Sequence, residues 1–84
     1  MKILIVEDEQ RIAALLKEMV ETFPNYTVVE ICDSIETTVN YLQGHQDDLD
    51  FVFMDIQLSD GQCFEIFDKI KVNCLFFSVQ HIVI

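Results

Sequence analysis

Positive charge is scarce in this 84-residue chain: five Lys and Arg stand against fifteen Asp and Glu, a formal net charge of -10 at pH 7. Such a chain is repelled by phosphate backbones and anionic lipid surfaces, so no DNA binding by this chain and no membrane association are expected. Long apolar runs are also missing. The stretch from Met1 to Val6 is too short for a signal-peptide core or a membrane span, and Glu7 and Asp8 follow it at once. A cytoplasmic location is the natural expectation. Cys32, Cys63 and Cys74 are odd in number and widely separated, with no C-x-x-C pair and no histidine at ligand spacing. That pattern argues against a disulfide framework and against a structural zinc site. Each lies beside apolar residues and reads as a small core hydrophobe in a reducing compartment. With two glycines and one proline, nothing resembles a linker, a repeat or a low-complexity tract, and the length allows one small domain.

Half of the residues are hydrophobic, 51%, and their spacing alternates between two kinds of element. Ile3 to Val6 is a short β-prone run without polar alternation, the pattern of a parallel strand covered on both faces. From Glu9 to Phe23, Ile12, Leu15, Leu16, Met19, Val20 and Phe23 recur at helical spacing until Pro24 stops them. Thr27 to Ile31 is a second β-branched stretch, and Asp33-Ser34 then offers capping oxygens to a helix carrying Ile35, Val39 and Leu42. Gly44 is placed to end that helix. After a polar loop, Phe51 to Met54 makes a third buried strand ending at Asp55. Asp60-Gly61 reads as a turn, Cys63, Ile66, Phe67 and Ile70 mark a third helix, and Cys74 onwards is again apolar and β-prone. The resulting βαβαβαβ order with short joints predicts an α/β fold, a parallel sheet with helices on both faces.

Ligands of such sheets bind beyond the carboxyl ends of the strands, where the winding reverses. Glu7 and Asp8 follow the first strand and Asp55 the third, so their carboxylates converge if those strands are neighbours. Like charges that close ask for a cation, and hard oxygens in a shallow site suit Mg²⁺. A plainer reading makes Asp8 a helix cap and Asp55 the start of a turn, and it would suffice for either residue alone. Acids at matched strand ends favour the cation site. A flavin-binding reading would want a Ser/Thr/Gly-rich phosphate loop after the first strand, where this chain has carboxylates.

These residues carry a resemblance. Val6-Glu7-Asp8-Glu9, Phe53-Met54-Asp55-Ile56 and Asp60-Gly61 resemble the receiver domains of two-component response regulators. Met54 to Gly61, followed by Phe64-Glu65-Ile66-Phe67, is especially similar to receivers of LytTR-type transcription regulators. The resemblance implies a flavodoxin-like (CheY-like) fold with four strands here in the order 2-1-3-4. It implies Asp55 as the residue that accepts a phosphoryl group from a sensor histidine kinase. Mg²⁺ would be held by Asp8 and Asp55, by Glu7 through water, and by the backbone carbonyl of Gln57. The module is then a signalling switch, not an enzyme, and has no catalytic residues to assign.

Residues 1–74 follow the family pattern, and 75–84 form an anomalous tail, so that residues 1–84 read as a truncated receiver. A receiver places a Ser/Thr at the end of the fourth strand and a Lys at the end of the fifth. Ser78 is the hydroxyl near the former position, and no lysine follows Lys71. Phosphoryl chemistry is therefore expected to be impaired. With the first helix alone on its face, either Phe51 and Phe53 or Val52 and Met54 should point into water there. The chain should then assemble as a homo-oligomer through that face or through the tail strand. One alternative is an inactive fragment that only self-associates. Another is a metal-dependent phosphotransfer or nuclease domain, which would want a second carboxylate two residues after Asp55, where Gln57 stands. His45 in the polar loop and His81 in the tail have no acid or thiol at ligand spacing.

Overall fold

The computed structural model describes residues 1–71 and the backbone of a further strand at Leu75–Val79. In chain order the elements are β1 (Lys2–Val6), α1 (Gln10–Glu21), β2 (Thr27–Cys32) and α2 (Ile35–His45), then a 3₁₀ turn at Gln46–Asp48. They continue with β3 (Phe51–Asp55), β4 (Gln57–Leu58), β5 (Gly61–Gln62), α3 (Glu65–Lys69) and β6 (Leu75–Val79). The main sheet has the order β2-β1-β3-β6 with every pairing parallel. This is the expected 2-1-3-4 winding, with β6 as the fourth strand.

The apolar runs of β1 and β3 are continuous because both faces of these central strands are covered. Leu4, Val6, Val52 and Met54 pack on one face with Ile35, Val39 and Leu42 of α2 and Ile66 of α3. Ile3 and Ile5 pack on the other with Val20 of α1, flanked by half-buried Leu16, Phe51 and Phe53. Each fully buried Leu, Ile or Met contributes roughly 1.5–3 kcal/mol of gross burial. Among the described residues the first helix is alone on its face, as expected. The strand residues there are Phe51 and Phe53, and they do not point into water: both are half-buried, with rings edge to face at 4.8 Å.

At one edge of the sheet, β2 presents exposed Val29 and Ile31. Its register slips between Ile3 and Leu4 of β1, so that Val29 is passed over. The Val28 N–H donates to the Glu21 carboxylate at 3.1 Å, and the Ile31 N–H to the Glu30 carboxylate at 3.0 Å. A bulge and two side-chain carboxylates blunt this edge against pairing with another strand.

Local expectations need correction in several places. Gly44 does not end α2; it lies inside the last turn, and the chain runs through His45 into the 3₁₀ turn. No left-handed residue is needed because the backbone stays right-handed at Gln46 and passes directly into the 3₁₀ turn. The third helix is shorter than its apolar spacing suggests, Glu65–Lys69. Gly61 and Gln62 are drawn into a small antiparallel hairpin with Leu58 and Gln57, and the Ile70 backbone is extended. In α1 the buried positions are Ala13 and Val20, while Leu15, Met19 and, just past the helix end, Phe23 remain exposed.

Candidate metal centre

Three carboxylates meet at the carboxyl ends of β1 and β3. Parallel pairing sets Val6 beside Met54, so the residues that follow, Glu7 and Asp8 after β1 and Asp55 at the end of β3, leave the sheet on the same side. One oxygen from each of Glu7, Asp8 and Asp55 lies within 4.8 Å of the others. Glu7 is 2% exposed and Asp55 6% exposed, while Asp8 is half-buried and forms the solvent side. The Glu7 N–H extends the β1–β2 ladder to the Cys32 carbonyl at 2.9 Å, which fixes the Glu7 backbone.

The site also shapes the chain around it. The Glu9 N–H donates to Glu7 Oε2 at 3.1 Å, and Glu9 occupies the N-cap position of α1 without a side-chain cap of its own. The plainer role for Asp8, capping this helix, is therefore not the one it fills. Asp55 Oδ1 accepts the Gln57 N–H at 3.2 Å, which orients the carboxylate and bends the chain out of β3. Gln57 thus stands directly beside the cluster as the first residue of β4, its side-chain amide turned to the Leu58 carbonyl at 3.3 Å. The backbone of Ser78 pairs with Met54, one step before the Val79–Asp55 pair. Its side chain lies outside the described residues, as does His81. His45 stacks on Tyr41 at 4.4 Å and its Nδ1 meets the Tyr41 carbonyl at 3.0 Å, away from the strand ends. Cys32 and Cys63 are buried free thiols. Burial first, and then the charge of Glu30, push the Cys32 thiol up to about 11.

The donor set fits a small hard cation: carboxylate oxygens only, gathered at one point, with one member open to solvent for bound water. Among the described residues it is the one such cluster of His, Cys, Asp or Glu.

The chain matches the response regulator receiver domain family over residues 3–83. The chain belongs to that family. As a receiver it is similar to the sensory transduction protein LytT of Bacillus anthracis, 34% identical over 71 residues, which is 84% of this chain and 28% of the relative. It is also similar to the transcriptional regulatory protein CitT of Halalkalibacterium halodurans, 29% identical over 70 residues, or 83% of this chain and 30% of the relative. The chain therefore spans less than a third of these curated relatives. Among solved structures, the receiver domain of a modulated diguanylate cyclase from Desulfovibrio desulfuricans G20 superposes with a TM-score of 0.76 at 25% identity, covering 95% of this chain and 64% of that one. The anti-anti-sigma factor PhyR from Bartonella quintana gives a TM-score of 0.76 at 26% identity, covering 92% of this chain and 31% of that one. The expected likeness to LytTR-type receivers and the CheY-like fold both stand. A receiver is a regulatory module of two-component systems, and no helix among the described residues is long and apolar enough to cross a membrane.

A residue that sequence reading took only for part of a turn has a larger part. Asp60 accepts the Ile35 N–H at 2.8 Å on one oxygen and the Glu36 N–H at 3.2 Å on the other. These hydrogen bonds hold its carboxyl below the usual carboxylate range, the one from Ile35 contributing most. The only sequence signal for this was that Ser34 offers α2 one capping oxygen where a helix start has several unsatisfied N–H groups.

Proposed function

We propose that this receiver takes a phosphoryl group on Asp55 from the phosphohistidine of a sensor histidine kinase, in the cytoplasm, with Mg²⁺ as cofactor. The observation that carries the reading is the convergence of Glu7, Asp8 and Asp55 within 4.8 Å at the strand ends. Asp8 and Asp55 would hold the ion directly, the Gln57 backbone carbonyl would be the third protein oxygen, and Glu7 would act through water. Mg²⁺, when bound, supplies positive charge against the crowded carboxylate and phosphoryl oxygens. The chain's own part is nucleophile and orientation. A carboxylate oxygen of Asp55 attacks phosphorus, the P–N bond breaks, and its electron pair stays on the imidazole nitrogen of the donor. The Gln57 N–H on Asp55 Oδ1 fixes the carboxylate plane for that approach. An open groove of about 290 Å³ beside Glu7, lined by Gln10, Ala13, Ala14 and Lys17 among others, is the surface we assign to the approaching kinase.

Transfer to the 84-residue chain alone should be slow, because Ser78 is the one hydroxyl near the end of β6 and no lysine follows Lys71. We also propose self-association of this chain. Leu15, Met19 and Phe23 form an exposed apolar row at 58%, 63% and 59% exposure, on the side of the sheet where α1 is the one helix among the described residues. The β2 edge is blunted, and we assign the row beside α1 and the β6 edge as the surfaces for a second copy.

The test uses phosphoramidate, a small donor with the same P–N bond, on the full chain with Mg²⁺, followed by intact-mass and peptide mapping. The reading expects one phosphoryl group, on the peptide containing Asp55, lost in Asp55→Asn and without the metal. A phosphoryl group elsewhere, or none in the unmodified chain after prolonged exposure, overturns it.

A further inference from the structure

The three first amides of α2 are all satisfied, but by two different sources. Ser34, the N-cap residue, accepts the Thr37 N–H at 3.1 Å, and the Thr37 hydroxyl completes a capping box by accepting the Ser34 N–H at 3.1 Å. The Ile35 and Glu36 amides are left to Asp60, 25 and 24 residues further on. A helix start normally takes its caps from its own neighbourhood. Here two of the three amides are capped from the segment that leaves the phosphoacceptor.

That segment is held at both ends, with a two-pair hairpin and one buried side chain, Leu58, between them. Its first end is Asp55 itself, whose Oδ1 takes the Gln57 N–H. From there Gln57 and Leu58 pair with Gln62 and Gly61, and the Cys63 N–H closes the hairpin on the Ile56 carbonyl at 2.8 Å. Leu58 is the apolar anchor, 2% exposed in the core. The far end is the tip, where Asp60 reaches α2. Next to it Gly61 adopts φ +143°, and a Cβ there would meet the Glu65 carboxyl at 2.1 Å and Ile35 Cδ1 at 3.0 Å. The glycine lets the tip come close enough to α2 for both oxygens of Asp60 to bond.

We infer that Asp60 is a positioning residue: by clamping the hairpin tip to the amides of Ile35 and Glu36, it fixes the path of residues 55–62 and thereby the Gln57 backbone beside Asp55. The inference rests on the proposed metal site for its functional consequence, though not for the clamp itself. The geometry also makes the coupling reciprocal. Whatever orders the Asp55 end of the hairpin stiffens the start of α2, and whatever loosens α2 loosens the site.

The experiment compares Asp60→Ala and Asp60→Asn with Ser34→Ala in the full chain. The serine variant removes a cap of the same helix that has no bond to the hairpin. Two quantities are read: amide hydrogen exchange of Gln57 and Cys63 without metal, and the Mg²⁺ dissociation constant from amide chemical shifts. Asp60→Ala is expected to speed exchange at Gln57 and Cys63 about five-fold, the factor that a typical cap energy of about 1 kcal/mol carries. It should weaken Mg²⁺ by a comparable factor. Asp60→Asn, which keeps one acceptor, should fall between, and Ser34→Ala should speed exchange at Thr37 while leaving Gln57, Cys63 and the Mg²⁺ constant within about two-fold. If Asp60→Ala and Ser34→Ala act alike on Gln57 and Cys63, the clamp is overturned. If the exchange pattern is as expected but the unmodified chain binds no Mg²⁺, the clamp stands and the metal reading fails. If exchange responds and Mg²⁺ binds with unchanged affinity in Asp60→Ala, Asp60 caps the helix without positioning the site, and the inference is refuted.

Discussion

Replacing Asp55 by Asn should make the metal-free receiver more stable while removing its response to Mg²⁺. Asp55 shares a 4.8 Å circle with Glu7 and Asp8. At that separation and an effective dielectric constant of about 20, each like-charge pair opposes folding by about 3 kcal/mol before screening. Asp8 is half-buried and reached by solvent, so only part of this survives, and we take about 1–2 kcal/mol as the net relief from losing two such pairs. Asn retains an acceptor for the Gln57 N–H that Asp55 holds at 3.2 Å, so the local hydrogen bond need not be lost. For a domain of this size the gain corresponds to a melting temperature higher by about 4–15 °C. In the unmodified chain, Mg²⁺ at ten times its dissociation constant should stabilise by about 1.4 kcal/mol through mass action and close most of that gap. Thermal melts of both proteins, with and without Mg²⁺, read all four numbers. An Asp55→Asn protein less stable than the unmodified chain without metal, or an equal rise of both melting temperatures with Mg²⁺, would refute charge crowding relieved by a cation at this site.

Three further outcomes follow from particular contacts. Gly61→Ala should destabilise by about 1–3 kcal/mol in urea denaturation, because φ +143° is unfavourable for a side chain and the new Cβ would collide with the Glu65 carboxyl that accepts the Gln62 N–H. A change under about 0.5 kcal/mol would mean that the hairpin tip is free to rearrange. Cys32, with its thiol pushed up to about 11 by burial and by Glu30, should resist iodoacetamide at pH 8 in the native protein and react on unfolding; rapid native labelling of its peptide would contradict the packing. The 84-residue chain should sediment as a dimer or larger, and Met19→Lys should shift it toward monomer; a folded monomer at micromolar concentration would refute the proposed self-association.

Elements whose signal is local were legible in the sequence. The uninterrupted runs Ile3–Val6 and Phe51–Met54 have the pattern of strands covered on both sides, and they are the two central strands. Convergence of Glu7, Asp8 and Asp55 then required only that these two strands be neighbours, an order that the family resemblance implied and that the sheet has. What escaped depends on long-range partners. Asp60 looks like a turn residue in its own neighbourhood, and its bonds to Ile35 and Glu36 exist only because the hairpin folds back on α2. Helical spacing put Leu15 and Met19 on the apolar stripe of the first helix, and they are exposed, because periodicity identifies such a stripe and not what covers it. Gly44 was misjudged for a similar reason: a glycine near a helix end suits a left-handed cap but does not require one, and here the chain continues into a 3₁₀ turn.

We propose that one crevice at the strand ends, built around Asp55, takes a single divalent cation. Mn²⁺, a paramagnetic substitute for Mg²⁺ with the same preference for oxygen donors, reports its position through broadening of nearby amide signals. Sub-stoichiometric Mn²⁺ added to the isotopically labelled chain should first broaden Glu7, Asp8, Asp55, Ile56 and Gln57, and excess Mg²⁺ should restore those signals. Asp55→Asn should abolish the effect. Broadening that instead centres on the exposed acids Asp47 and Asp50, or that spreads evenly over the many carboxylates of this chain, would contradict the account.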